Sequence, residues 1–423
     1  MLLVADIQNH LEEFKAGLEK RGFKEMHLLD EVIQLDQQRR ETQASLDGLK
    51  GEMNTISKEI GTLFQSGKQE EANKLKVRTG DIKSEIADLQ KVYDDSENAI
   101  RAILYQIPNV PHESVPAGKS EEDNEEVYRD GEAQPNTEGK LPHWDLCKNH
   151  DLIDFELGVK ISGSGFPVYK GKGAKLQRAL IQFFLDQAEK SGYTEYTPPL
   201  LVNEASGYGT GQLPDKEGQM YHVTEDDLYL IPTAEVPLTN VYRDTMVDEK
   251  DLPIKMTGYT PCFRREAGSY GKDVRGLNRL HQFDKVELVQ ISHPNNSYAA
   301  LDEMVKHVQG LLEALELPFR ILRLCGGDLG FTSRLTYDFE VYSCAQEKWL
   351  EVSSVSNFET FQANRLKLRI KGEDKKKQLA HTLNGSALAL PRILAGLMEN
   401  HQVDGKIKIP KALVPYTGFD TIG

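Results

Sequence analysis

The chain has 423 residues, is 39% hydrophobic and 28% charged, and carries a net charge of −15. That length fits two or three domains and a sizeable buried core. It contains no apolar run near the ~20 residues that a membrane span needs, and so predicts no membrane partner. An acidic protein repels a polyanion, so binding to nucleic acid through the whole surface is excluded, while a local basic surface stays open.

The opening MLLVADIQNHLEEF has an apolar tip but neither a basic start nor a long apolar stretch, so it does not read as a signal peptide. Cys147, Cys262, Cys325 and Cys344 stand far apart with no CxxC pair. That pattern fits reduced thiols in a cytoplasmic protein, and predicts neither disulfides nor zinc. Residues 1–24 carry one amphipathic helix pattern on Ile7, Leu11, Phe14 and Leu18, with Gly22 as its stop.

From Leu28 a heptad takes over. Positions 28, 32, 35, 39, 42, 46, 49, 53, 56, 60 and 63 are apolar except for Arg39 and Thr42. The pattern breaks at Phe64–Lys68 and resumes from Ala72 to Ile103. Two matched runs around a glycine-containing turn predict an antiparallel helical hairpin, each limb of about 36 residues spanning roughly 54 Å. Gly48, Gly51 and Gly61 weaken the first limb, by about 1 kcal/mol each relative to alanine. The distal part, residues 58–83, holds six basic side chains (Lys58, Lys68, Lys74, Lys76, Arg78, Lys83) against four acidic ones. A locally basic tip on an acidic protein points to a phosphate backbone; a dimerisation coil is the plainer reading.

Ile107-Pro108-Asn109-Val110-Pro111 ends the second limb. The domain bounds are therefore set at 1–108, an acidic linker at 109–142, read as solvated loop, and a second domain at 143–423. In that domain Lys175–Gly192 reads as a helix with one buried stripe, followed by a strand through Pro199. Tyr229–Val236 reads as a buried strand ending in Thr233 and Glu235.

The stretch from Thr260 to Glu287 carries the richest chemistry. Thr260–Glu266 reads as a strand and Leu280–Glu287 as its antiparallel return, with Gly268, Gly271, Lys272, Arg275, Gly276 and Arg279 between them. Alternation sets Arg264 and Glu266 on one face, and His281, Phe283, Lys285 and Glu287 on one face of the return. A guanidinium, carboxylates and an aromatic ring together suit a ligand with a phosphate, an amine and a flat ring, although ion pairs on a solvated face would carry the same residues. Residues 340–365 supply a further strand with carboxylates. Finally Thr382–Leu394 reads as a strand turning into an apolar helix, where Arg392 is costly unless paired with an anion.

FRREAGSYGKDVRGLNRLHQFDKVE resembles motif 2 of class II aminoacyl-tRNA synthetases, in the form found in the seryl-tRNA synthetase family. Residues 175–202 are similar to the family's motif 1, TAE at 233–235 to its serine-contacting triplet, and TLNGSALALPRIL to motif 3. The N-terminal hairpin and the linker IPNVPHESVPAGKSEEDN also resemble the family, so the likeness runs along the whole chain in the family's order. One departure is Val355, where the family commonly has cysteine.

The resemblance implies an α+β fold: an antiparallel coiled-coil hairpin, then a class II catalytic domain with a mainly antiparallel sheet flanked by helices. It implies activation of serine by ATP, with Arg264 and Arg392 catalytic, and transfer to tRNA(Ser), with tRNA(Sec) as a further substrate. For ATP it implies Arg264, Arg265, Glu266, Arg279, Leu280, His281, Gln282, Phe283, Glu351, Val352, Ser353, Ser354 and Arg392. For serine it implies Thr233, Ala234, Glu235, Arg264, Glu287, Asn384 and Ser386. Magnesium would sit on Glu351 and Ser354, with Glu340 a further candidate, and a homodimer would form through motif 1. The alternatives are a non-catalytic relative or one that loads carrier proteins. The first would be expected to lose Arg264, Glu287 or Arg392, and the second to lack the arm.

Overall fold

The computed structural model describes residues 1–133, 136, 139–215, 218–266 and 275–423. Gly268, Gly271 and Lys272 of the motif 2 loop lie outside the described residues. The chain divides into two compact units, Met1–Glu19 with Phe23–Pro108, and Lys20–Gly22 with Asn109–Gly423.

The first unit is a helical hairpin. Helices His27–Gln65 and Gln69–Leu104 pair along their length, and Gly67 turns the chain with a φ of 78°, a conformation that favours glycine. The buried seam uses the heptad positions: Leu28, Val32, Thr42, Leu46 and Ile56 from one limb, Ala72, Ile82, Ser96, Ile100 and Ile103 from the other. Arg39 is tolerated at a seam position because buried Asp36 accepts from it at 2.8 Å and the Tyr93 hydroxyl lies 3.3 Å away. The first limb runs through Gly48, Gly51 and Gly61 unbroken, so the seam outweighs their weak propensity. Residues 1–24 differ from the single helix expected. Two helices form, Val4–Asn9 and Leu11–Lys20, broken at His10, and each buries one apolar side chain, Ile7 and Leu18.

The second unit is built on an eight-stranded sheet in the order Glu125–Asp130, Phe319–Arg323, Leu335–Ser343, Lys348–Glu359, His381–Ala389, Gln282–Ser292, Ile254–Phe263, Thr194–Glu195. Every pairing is antiparallel except that of Thr194–Glu195 with Ile254–Phe263. Helices Gly171–Lys190, Ser297–Ala314 and Leu390–Asn400 pack on the sheet and share one apolar core with it. Val286 and Leu288 of the central strand point into that core, so alternation turns Lys285 and Glu287 the other way. This is the arrangement expected of the resemblance, helices on a mainly antiparallel sheet.

The segment read as a solvated linker contains an edge strand, Glu125–Asp130, paired with Phe319–Arg323. All six of its residues are exposed, so no apolar alternation marks it. The backbone ladder holds it, and ion pairs flank the ladder: Arg323 pairs with Glu125 at 2.5 Å and Arg320 with Glu126 at 3.5 Å.

Candidate active site

Two central strands, Ile254–Phe263 and Gln282–Ser292, form the hairpin that carries the site, with Phe283 opposite Cys262 and Glu287 opposite Gly258. The outgoing strand stops earlier than its sequence suggested. Arg264 makes one more backbone bond, to the His281 carbonyl at 3.0 Å, and Glu266 then enters the left-handed region with a φ of 47°. Strand alternation therefore does not orient Arg264 and Glu266; local contacts do. The Arg264 guanidinium lies over the Phe283 ring at 5.2 Å, and Glu266 pairs with Arg279 at 3.0 Å.

These groups border a cavity of about 690 Å³. Its two ends differ in polarity and exposure. At the closed end the Thr233 hydroxyl donates to Glu287 at 3.0 Å, the Asn384 amide donates at 3.1 Å, and the Lys285 ammonium lies 2.6 Å away. Glu287 is fully buried, which these three partners make tolerable. Glu235 sits beside it, also buried, and accepts from the Gln362 amide at 2.7 Å. Gln362 is oriented by the Thr382 hydroxyl, which donates to its carbonyl oxygen at 2.8 Å. Burial, and then the charge of Glu287, pushes the Glu235 carboxyl up to about 7. Glu235 opens a short helix, Glu235–Asn240, and does not end a strand as the sequence suggested. Thr233 Oγ1 also accepts from the Glu235 amide at 3.2 Å, which ties the triplet to the hairpin.

The other end is open and rich in arginine and carboxylate. Strands Leu335–Ser343 and Lys348–Glu359 set Ser354 opposite Asp338 and Glu351 opposite Glu340. The Glu351 side chain is half exposed; Arg392 donates to its backbone carbonyl at 2.6 Å and faces its carboxylate at 3.5 Å. Arg392 also donates from Nε to the Asn278 carbonyl at 3.1 Å. Its helix, Leu390–Asn400, is apolar from Ile393 to Met398 and carries Pro391 in its first turn, so the arginine is presented at the helix start. Burial, and then the nearby Glu351, push the Asp338 carboxyl well above the usual range, and its Oδ1 is buried without a protein partner.

Of the remaining expected residues, Leu280, Val352, Ser353 and Ser386 border the cavity, and the Ser353 hydroxyl donates to the Ser386 carbonyl at 2.6 Å. Arg265, His281, Gln282, Ala234 and Glu287 do not border it; Glu287 is linked to it through Thr233, Lys285 and Asn384, which do. His281 stacks on Phe166 with ring centroids 5.5 Å apart, and Ala234 is wholly buried in a second apolar cluster. Sequence reasoning did not assign Lys285, Gln362, Asp338 or Asn278 to the site. Lys285 was within reach, because it alternates with Phe283 and Glu287. Gln362 and Asp338 come from elements distant in sequence, and nothing local marks them.

Among the described residues no group of three or more His, Cys, Asp or Glu side chains is arranged to hold a metal, and no helix is long and apolar enough to cross a membrane. All four cysteines are buried and unpaired.

Comparison with known proteins gives the family. Residues 1–111 match the model of the seryl-tRNA synthetase N-terminal domain, and 220–401 that of the tRNA synthetase class II core domain (G, H, P, S and T). The serine–tRNA ligase of Salinibacter ruber is 50% identical over 100% of this chain and 99% of its own length. That of Akkermansia muciniphila is 46% identical, again over 100% of this chain and 99% of its own. Among solved structures, the seryl-tRNA synthetase of Pyrococcus horikoshii complexed with ATP aligns with a TM-score of 0.92 at 35% identity, covering 100% of this chain and 99% of that one. The cytoplasmic serine–tRNA ligase of Naegleria fowleri in complex with AMP aligns at 0.85 and 28% identity, covering 97% and 95%. With full-length identity of this order and both domains in family order, the chain belongs to the seryl-tRNA synthetase family and is a serine–tRNA ligase.

Proposed function

We propose that the two ends of the cavity divide the substrates of serine activation, the amino acid at the closed end and ATP at the open one. The observation that carries this reading is the pair of buried carboxylates, Glu235 and Glu287. Lys285 already pairs with Glu287, so the two carboxylates still lack one cation, and the serine ammonium supplies it beside Glu235, which borders the cavity. Thr233, Asn384 and Ser386 then offer hydrogen bonds for the serine hydroxyl. Pairing of that hydroxyl rejects alanine strongly, whereas exclusion of threonine rests on the extra methyl and is weaker.

At the open end Arg264 and Arg392 hold the phosphates, Phe283 stacks on adenine, Glu266 accepts from the adenine amine, and Arg279 meets the distal phosphates. When the serine carboxylate attacks the α-phosphorus, pyrophosphate leaves and negative charge builds on the phosphoryl oxygens. Planar guanidiniums meet that charge with paired hydrogen bonds. No residue is assigned here as a general base, so positioning and charge stabilisation provide the rate. The seryl group then passes to the terminal ribose hydroxyl of tRNA(Ser).

Magnesium fits the open end. Glu351 and Ser354 are hard oxygen donors, with Asp338 and Glu340 across the strands. Among the described residues no three His, Cys, Asp or Glu side chains converge to hold a metal by themselves, which suits a cation that shares phosphate oxygens with ATP. Bound there, it would neutralise phosphate charge and fix the bend of the triphosphate.

The basic distal arm gives tRNA(Ser) its contact, and tRNA(Sec) is the further substrate that the family likeness brings. A homodimer through residues 175–202 is supported by exposed Leu200 and Leu201 in that stretch. The cytoplasm is the fitting compartment. Amino-acid-dependent ATP–pyrophosphate exchange with serine, threonine, glycine, alanine and proline tests the pocket: exchange with serine alone is expected, and robust exchange with another would overturn it. Charging of tRNA(Sec) transcript and sedimentation of the full chain test the other two.

A further inference from the structure

Behind the open end lies a buried polar ring that the chemistry above does not use. His143 and Glu399 are each fully buried. Glu399 Oε1 accepts from the His143 backbone amide at 3.0 Å, from the Gln346 amide at 3.1 Å, and faces His143 Nδ1 at 2.7 Å. The Ser343 hydroxyl donates to Glu399 Oε2. On the other side of the imidazole, the Leu277 backbone amide donates to His143 Nε2 at 2.9 Å. That donor fixes the tautomer: Nε2 carries the lone pair, so Nδ1 carries the proton and donates it to Glu399. The ring closes through Asn278, whose side-chain amide donates to Gln346 at 2.9 Å.

The next bond leads to the site. The Asn278 carbonyl is the acceptor for Arg392 Nε. Arg392 and Glu399 lie on one helix, seven residues and two turns apart, and so on one face. Helix and loop are thus tied at two points, through Asn278 at Arg392 and through His143 at Glu399. Gly276 completes the fit. Its φ is 70°, and a Cβ there would come within 2.2 Å of His143 Nε2.

We propose that His143 is a positioning residue for the ATP site: its neutral imidazole, aimed by Glu399, holds the segment Leu277–Arg279 against the helix that presents Arg392. This rests on the proposed role of Arg392 at the phosphates, and Arg392→Ala tests that role separately.

Two substitutions divide the imidazole between them. Gln at 143 keeps an acceptor near the Nε2 position and loses the bond to Glu399. Asn keeps a donor near Nδ1 and loses the bond to Leu277. In ATP–pyrophosphate exchange by the full chain, His143→Asn should raise the KM for ATP by about tenfold or more while the KM for serine moves less than about twofold. His143→Gln should recover most of the ATP affinity although it removes the imidazole donor to buried Glu399, which keeps the His143 backbone amide, Gln346 and Ser343. The opposite order, with Asn near wild type and Gln impaired in step with its melting temperature, would overturn the proposal and leave a structural bond only. Gln346→Leu cuts the same ring at a half-buried turn and serves if neither variant folds. Its ATP KM should rise a few-fold, about the worth of one hydrogen bond, and no change would likewise overturn the proposal. If Arg392→Ala leaves the ATP KM unchanged, the phosphate assignment fails first.

Discussion

The closed and open ends of the cavity solve opposite electrostatic problems. At the closed end Glu287 and Glu235 are buried side by side, and burial with mutual repulsion lifts Glu235 to about 7. At the open end Arg264, Arg279 and Arg392 already lie against acceptors or a ring, and Glu351 is half exposed. On the proposed division, a dry pair of carboxylates with one lysine to balance it takes up a second cation, and discriminates by what it buries. On the same division, a wetter set of guanidiniums would exchange protein acceptors for phosphate oxygens and act through developing charge. The difference predicts that mutations at one end change one substrate's kinetics and spare the other's.

Loss of Arg264 should be the largest single effect. Arg264→Ala is expected to lower exchange by about 10²- to 10³-fold, the range for removing one preorganised donor to transition-state charge. An intact rate would contradict its role. Glu287→Gln should come next, lowering kcat/KM for serine by about 10- to 100-fold, as expected for a charged hydrogen bond. Its ATP KM should stay within about twofold.

The pH dependence sharpens the contrast. Glu235 has its folded value raised from 4.5 to about 7, so the native state favours the protonated acid. Its contribution to stability is present below 4.5 and is lost as pH rises to about 7; Glu235→Gln should flatten that part of the thermal-melting profile. A cationic ligand favours the ionised form, so the serine KM should climb below pH 7, by up to about tenfold per unit, while the ATP KM does not follow it. Parallel profiles for both substrates would break the division. The smallest effect concerns neither end. Reversing Lys74, Lys76 and Arg78 at the arm should weaken tRNA charging several-fold, more at low salt, and leave exchange unchanged.

Much of this architecture is legible in the sequence, for reasons that vary by region. The arm is read from period alone, because each seam position repeats every three or four residues and the partner limb repeats it. The seam also accepts Arg39, whose acid Asp36 stands one turn away on the same helix. The hairpin, the triplet at 233–235 and the helix at 390–400 are read because their chemistry is packed into short stretches. What stays hidden depends on non-local partners. The strand at 125–130 is held by a backbone ladder to a strand some two hundred residues later and shows no apolar alternation. Glu235 begins a helix because Thr233 and Gln362 bind it from either side. His143 reads as an ordinary residue until Glu399 and Leu277 close around it.

The most direct test is Glu287→Gln in ATP–pyrophosphate exchange, with the KM for serine and the KM for ATP each measured at saturating levels of the other substrate. The two-ended site predicts a large rise for serine and almost none for ATP. An equal rise in both, or none in either, would contradict it.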